Sequence, residues 1–167
     1  FEGEALLALL AINERSRDWP QAQAIAQKLE NANQGSFTPR LAHYLCEEAE
    51  LAQSKGDAAE ALRLLGKAVE RAPQQARPWM ALSALKAQQG DAHGAVDALL
   101  KLATHAPQGM PLAAKPLADL SHSTGRQAEA MTLLNEAQAH SPSLDITEAL
   151  ASLSGSAGAA RSRYLAH

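Results

Sequence analysis

Residues 79–107 read WMALSALKAQQGDAHGAVDALLKLATHAP, two helical-looking segments separated by Gln89-Gly90-Asp91 and closed by Pro107. The same punctuation recurs at Lys55-Gly56-Asp57 and at Thr124-Gly125-Arg126, so that the glycines stand 34 and then 35 residues apart. Five residues after each glycine comes an alanine: Ala61, Ala95, Ala130. Four further on comes a leucine: Leu65, Leu99, Leu134. Twelve after each alanine comes a proline: Pro73, Pro107, Pro142. Four residue classes repeating in one register define a repeat unit of helix, glycine turn, helix and proline stop. Glycine supplies a positive-φ turn that a β-carbon would penalise. Asp18, with Gln21 three residues on, and Asp57, with Glu60, read as capping boxes. The alanine marks a close helix crossing, and proline ends the second helix because it has no N–H and clashes with the preceding turn.

Composition agrees. The chain has 167 residues, 37 of them alanine and only six aromatic. Alanine is the best helix former, whereas sheets lean on β-branched and aromatic residues, so an all-β domain is excluded. With 46% apolar and 20% charged residues the chain can bury a core, which argues against disorder. A net charge of −3, with acids and bases interspersed, offers no basic stripe for nucleic acid. The longest apolar run, Ala5 to Ile12, is far short of the roughly 20 residues that span a bilayer, so no membrane insertion by this stretch is expected. A start at Phe1 rather than Met reads as an excerpt from a longer protein.

These residues resemble the tetratricopeptide repeat (TPR) family, whose period is 34 and whose pattern runs W-x2-L-G-x2-Y, A-x3-F, P. Trp79, Leu82, Ser83, Lys86, Ala95, Leu99 and Pro107 form the clearest copy. Leu45, Ala49, Ala52, Ala61, Leu65, Ala68 and Pro73 form a second, with Glu48 where leucine is usual. Ala114, Leu117, Ala118, Ser121, Ala130, Leu134, Ala137 and Pro142 form a third. Working outward, Arg17-Asp18-Trp19 occupies the turn of an earlier repeat, and its 39-residue distance to Gly56 places an insertion of about five residues in the loop 31–38. The expected fold is all-α: a single TPR superhelix over 1–167, with repeats at approximately 1–31, 39–73, 76–107, 110–142 and a partial 145–167. That gives ten helices in five antiparallel pairs and no strand. In the last pair, Asp145–Leu153 would be the first helix and Ala157–His167 its partner. Pro116, five residues after Pro111, predicts either a helix that starts near Lys115 or a kink.

Catalytic and metal chemistry find little support. No histidine pair has the i, i+4 zinc-helix spacing, no glycine-rich loop would cradle a phosphate, and a single cysteine, Cys46, allows neither an internal disulfide nor a zinc cluster. His105 and His140, each two residues before a proline, suit helix C-termini. His43 lies one turn from Cys46, but without an orienting third group or an oxyanion motif the pair reads as a groove-lining or packed thiol. The expectation is a non-enzymatic binding protein with no cofactor in this stretch.

Likeness to the TPR family implies that positions 2, 5, 9 and 12 of each repeat face the inner groove. These are Glu4, Leu7, Ala11 and Glu14 in the first repeat, and His43, Cys46, Glu50 and Gln53 in the second. In the third and fourth they are Arg77, Met80, Ala84 and Ala87, then Leu112, Lys115, Asp119 and His122. Of the residue types that some members use to hold a peptide carboxylate, only Lys115 fits, so the mixed surface better suits an extended or helical protein segment.

A narrower resemblance rests on Asp18-Trp19, Ala22, Ala26 and Leu29, then the inserted loop, then Leu41-Ala42-His43-Tyr44 with Cys46-Glu47. This stretch is similar to the middle of the lipopolysaccharide assembly protein B family, with Leu45 in place of the family's second aromatic. The resemblance implies a parent with an N-terminal membrane anchor, a cytoplasmic TPR body at the inner membrane, and a C-terminal iron or zinc knuckle. It also implies an adaptor role in which the membrane protease FtsH, the deacetylase LpxC and a regulatory inner-membrane protein are partners and lipopolysaccharide synthesis is limited. The alternatives are a TPR adaptor of another bacterial assembly or secretion system, such as cytochrome maturation or pilus assembly, or a regulatory module of an enzyme.

Overall fold

A computed structural model describes the backbone of residues 2–165 and the side chains of residues 2–155. The elements are α1 (Glu2–Ser16), α2 (Trp19–Asn31), α3 (Thr38–Ser54), α4 (Ala58–Arg71), α5 (Ala76–Gln88), α6 (Ala92–His105), α7 (Met110–Thr124), α8 (Gln127–His140) and α9 (Leu144–Leu165). A short 3-10 turn, Pro107–Gly109, precedes α7, and the described residues contain no strand.

The turns within helix pairs are built as the sequence requires. Gly56, Gly90 and Gly125 adopt φ of 77°, 83° and 70°, in the left-handed region that a β-carbon disfavours. Asp57 then accepts a hydrogen bond from the Glu60 N–H at 3.0 Å, and Asp91 accepts from the Gly94 N–H at 2.9 Å, so each starts its helix with a satisfied donor. Asp18 does the same for Gln21 at 3.3 Å. The side chains expected to complete capping boxes do not turn back: Glu60 pairs with Arg63 instead, at 2.6 Å. Arg126 occupies the corresponding place before α8, with no side-chain cap. Its guanidinium reaches Asp97 at 2.7 Å, the His93 carbonyl at 3.3 Å and Glu129 at 2.9 Å, tying the start of α8 to α6.

Contacts divide the chain into two compact units, residues 1–81 and 82–167. In the first, α1 packs on α2, α2 on α3 and α3 on α4. Its core gathers Leu10, Trp19, Ile25, Leu29, Phe37, Leu41 and Tyr44 with the small Ala22 and Ala26. The inserted loop is closed by Glu30, whose carboxylate accepts from the Phe37 N–H at 2.8 Å and the Thr38 hydroxyl at 3.3 Å. In the second unit α6 packs on α7, and α7, α8 and α9 pack on one another. Ala95 and Ala130, like Ala61 in the first unit, are 0% exposed, as are Leu99 and Leu134. Buried Ser83 donates to the Ala95 carbonyl at 2.8 Å, and Trp79 in the first unit donates through Nε1 to the Pro73 carbonyl at 2.8 Å.

The expected last pair is corrected, and of the two outcomes expected at Pro116 the late start is excluded. The last pair is one continuous helix, α9, through Leu165. The expected break falls at Ser154-Gly155-Ser156, which holds neither a proline nor a capping aspartate, and an interior glycine costs only about 1 kcal/mol relative to alanine. The end of the expected partner helix, Ala166 and His167, lies outside the described residues. Helix α7 starts at Met110, not near Lys115, and carries Pro116 inside it. Pro111 lies in its first turn, where no N–H is needed, and Pro116 removes the bond to the Leu112 carbonyl.

Arg17 takes the left-handed conformation of the later turns, at φ 58°, but carries the β-carbon that their glycines avoid. Arg17→Gly is expected to stabilise the chain by about 0.5–1 kcal/mol, and Gly90→Ala, which meets no atom within 4 Å, to destabilise it by about 1 kcal/mol through backbone strain alone. Urea unfolding followed by circular dichroism measures both.

Candidate functional site

His43 on α3 and Arg77 on α5 are 34 residues apart, the same place in consecutive repeats, and this brings them side by side. An Arg77 guanidinium nitrogen lies 2.8 Å from His43 Nδ1 and, having no lone pair to offer, is the donor of that contact. The second terminal nitrogen donates to Glu47 and to Glu50, both at 3.0 Å. Burial disfavours the charge on Arg77, but its hydrogen bonds to the two carboxylates outweigh this and raise its pKa above the ordinary arginine value. His43 is backed by aromatic rings: Trp19 meets it edge-on at 5.6 Å and stacks on Tyr44 at 5.7 Å. Tyr44 donates its phenol to Glu14, which also lies 3.7 Å from Arg40. Burial first, and the Glu14 carboxylate second, push the Tyr44 phenol above the tyrosine range.

The expected groove residues separate by exposure and by unit. In the first unit His43, Glu50, Gln53 and Arg77 are exposed and Met80 is half-buried. Cys46 is 2% exposed, and burial pushes its thiol up to about 11. A buried thiol that holds its proton is a weak nucleophile, which fits a packed side chain better than the reactive member of a His43–Cys46 pair. In the second unit Ala84, Lys115 and Asp119 are exposed and His122 is half-buried. Lys115 pairs with Asp119 one turn on, at 3.0 Å, beside Leu112, which is 72% exposed. Of the first-repeat set, Glu4, Leu7 and Ala11 are exposed, while Glu14 is engaged by Tyr44.

Sequence reasoning about groove positions missed Glu47. The signal was present: Glu47 stands one helical turn after His43 and three residues before Glu50, on the stripe that faces the next repeat. Among the described residues no group of three or more His, Cys, Asp or Glu is placed to hold a metal ion, and no helix is long and apolar enough to cross a membrane. What the first unit offers is a hydrogen-bonding surface of alternating charge, fixed in place by the Arg77 bridge.

No family model matches the chain. It is 38% identical over 96 residues to the cellulose synthase 2 operon protein C of Komagataeibacter xylinus, a match covering 57% of this chain and 7% of that much longer protein. Two crystal structures of MamA superpose with TM-scores of 0.53 and 0.52, at 16% and 15% identity. They cover 87% and 93% of this chain, and each match spans 82% of MamA. TTC0263, a thermophilic TPR protein of Thermus thermophilus, gives a TM-score of 0.45 at 22% identity over 90% of this chain and 80% of that one. With its glycine-turned helix pairs and its likeness to MamA, the chain has an all-α helical-repeat fold of the TPR type.

The Cys46 thiol dictates a pH dependence. Its folded pKa of about 11 exceeds the unfolded value of about 8.5, so the unfolded chain loses this proton first and stability falls as pH rises from about 8.5 to 11. Tyr44, also raised, adds to the loss above about pH 10. Cys46→Ala is expected to remove a loss on the order of 2 kcal/mol between pH 8 and 11, read from urea midpoints at each pH; an unchanged slope contradicts the assignment.

Proposed function

We propose that the chain is a non-catalytic protein-interaction module whose first-helix face recognises a segment of a partner protein. The observation carrying this is Arg77, which gathers His43, Glu47 and Glu50 from the neighbouring helix into one preorganised polar surface. Holding these side chains in place before binding reduces the ordering cost that association must meet. The individual exposed ion pairs contribute little to stability, about 0–1 kcal/mol each, so their arrangement fits recognition better than support. A module that holds a client beside another machine acts by raising effective concentration.

The finer reading follows the resemblance to lipopolysaccharide assembly protein B. The chain would then be part of the cytoplasmic TPR body of an inner-membrane adaptor that presents LpxC to FtsH and so limits lipopolysaccharide synthesis, with any metal knuckle lying elsewhere in the parent. Support comes from the residues of that resemblance, Trp19, His43 and Tyr44, which pack against one another, with Glu47 bonded to Arg77 beside them. A second reading, a TPR segment serving cellulose synthesis, draws on the 38% identity to the operon protein.

Reversing both charges, Glu50→Arg with Arg77→Glu, tests the face, because Glu47 then repels the new carboxylate while the helices stay intact. Binding of purified LpxC and of the FtsH cytoplasmic region to the immobilised chain, measured by biolayer interferometry, is expected to weaken at least about tenfold with an unchanged far-UV spectrum. Full binding by the reversed variant removes this face from the interaction. If neither protein binds the unaltered chain but a cellulose synthase subunit does, the second reading stands.

A further inference from the structure

The second unit carries a half-open cavity of about 540 Å³ between the ends of α6 and α8 and the starts of α7 and α9. This volume lies in the roughly 300–1,000 Å³ range of ligand sites. None of Lys115, Asp119 and His122 lines it, so it is separate from the first-helix face. One wall residue, Ala137, holds the register place of Leu102 and of Ala68. Ala137 follows Leu102 by 35 residues, as Gly125 follows Gly90. Leu102 is 0% exposed and fills its place in α6, whereas Ala137, three heavy atoms shorter, is half-buried on the cavity wall. Ala49, Ala61, Ala68, Ala95, Ala118 and Ala130 are all buried where helices interlock; Ala137 instead faces open space.

Met110 and Ile146, each 1% exposed, lie at its base, and Pro111 and Leu133 stand half-buried on its sides. One carboxylate lines it, Glu136, and no lysine or arginine does. Leu133, Glu136, Ala137 and His140 follow the i, i+3, i+4, i+7 spacing of one α8 face, so the carboxylate sits at the edge of the apolar wall. Glu136 makes no hydrogen bond or ion pair among the described residues. We propose that this cavity is a second docking site, which takes one aromatic or large aliphatic side chain of a partner protein and pairs Glu136 with an adjacent lysine or arginine of that segment. The apolar side chain supplies the affinity, since it fills space that would otherwise leave the wall without contacts. The acid supplies the choice of neighbour through charge complementarity.

The probe is a blocked hexapeptide, Gly-Ser-Phe-Lys-Gly-Ser, titrated into the whole chain carrying 13C-methyl methionine, with Ala-Lys and Phe-Glu versions as controls. The expected result is a shift of the Met110 methyl signal and binding at least about tenfold tighter than either control. Glu136→Lys is expected to reverse the preference toward the Phe-Glu peptide. Ala137→Leu, which restores the side chain present at Leu102, is expected to abolish the shift while leaving Tm equal or higher. No Met110 shift at millimolar peptide, equal binding of the three peptides, or retained binding by Ala137→Leu overturns the proposal. So does a concentration-dependent dimer that Ala137→Leu dissolves, because a second copy of the chain would then be the occupant.

Discussion

Every helix pair here closes through a turn whose backbone enters the left-handed region, followed by a crossing where only a β-methyl fits. Gly56, Gly90 and Gly125 provide the first; Ala61, Ala95 and Ala130, none of them solvent-exposed, provide the second. The two act together. The turn sets the angle at which the second helix returns, and the alanine lets the backbones approach closely enough for Leu65, Leu99 and Leu134 to be buried behind it. An isolated helix of this length is marginal in water, so burial against the partner, rather than propensity alone, keeps each one formed. Side-chain chemistry comes afterwards: His43 meets Arg77 because the register repeats, not because either residue attracts the other across a distance.

Much of this is legible in the sequence because a repeat states its geometry several times over. The glycine turns, the aspartate caps at Asp18 and Asp57, the helix ends before Pro73, Pro107 and Pro142, and the irregular loop after Asn31 all follow from residues that act locally. What is not legible depends on competition. Ser154-Gly155-Ser156 predicts a break from a weak helix former, but a weak preference loses to continued backbone bonding when neither a proline nor a cap interrupts it. Of the delayed start and the bend that Pro116 predicts, the delayed start fails, because Met110 packs at 1% exposure and begins the helix. Local rules locate boundaries where one effect dominates and fail where tertiary burial decides.

The candidate surface is legible in its positions but not in its partners. Register places His43, Glu50 and Arg77 on one face; it does not say that Arg77 takes both Glu47 and Glu50, nor that Cys46 turns inward and holds its proton. Position in a repeat reports where a backbone points. Which carboxylate a guanidinium chooses depends on side-chain reach, here about one helical turn in either direction. The same limit applies to Ala137, which stands in the third repeat copy by register and lines a cavity in the fold.

Arg126 makes the repeats less alike than their spacing implies. Elsewhere an aspartate begins the second helix using only its own next turn, a self-contained joint. Before α8 that aspartate is absent, and the guanidinium instead grips Asp97, Glu129 and the His93 carbonyl. The fourth pair therefore borrows part of its beginning from the third. Transplanted next to a different neighbour it would keep Glu129 but lose Asp97 and the His93 carbonyl, so this pair is bound to its place in the order rather than being a brick that can be shuffled.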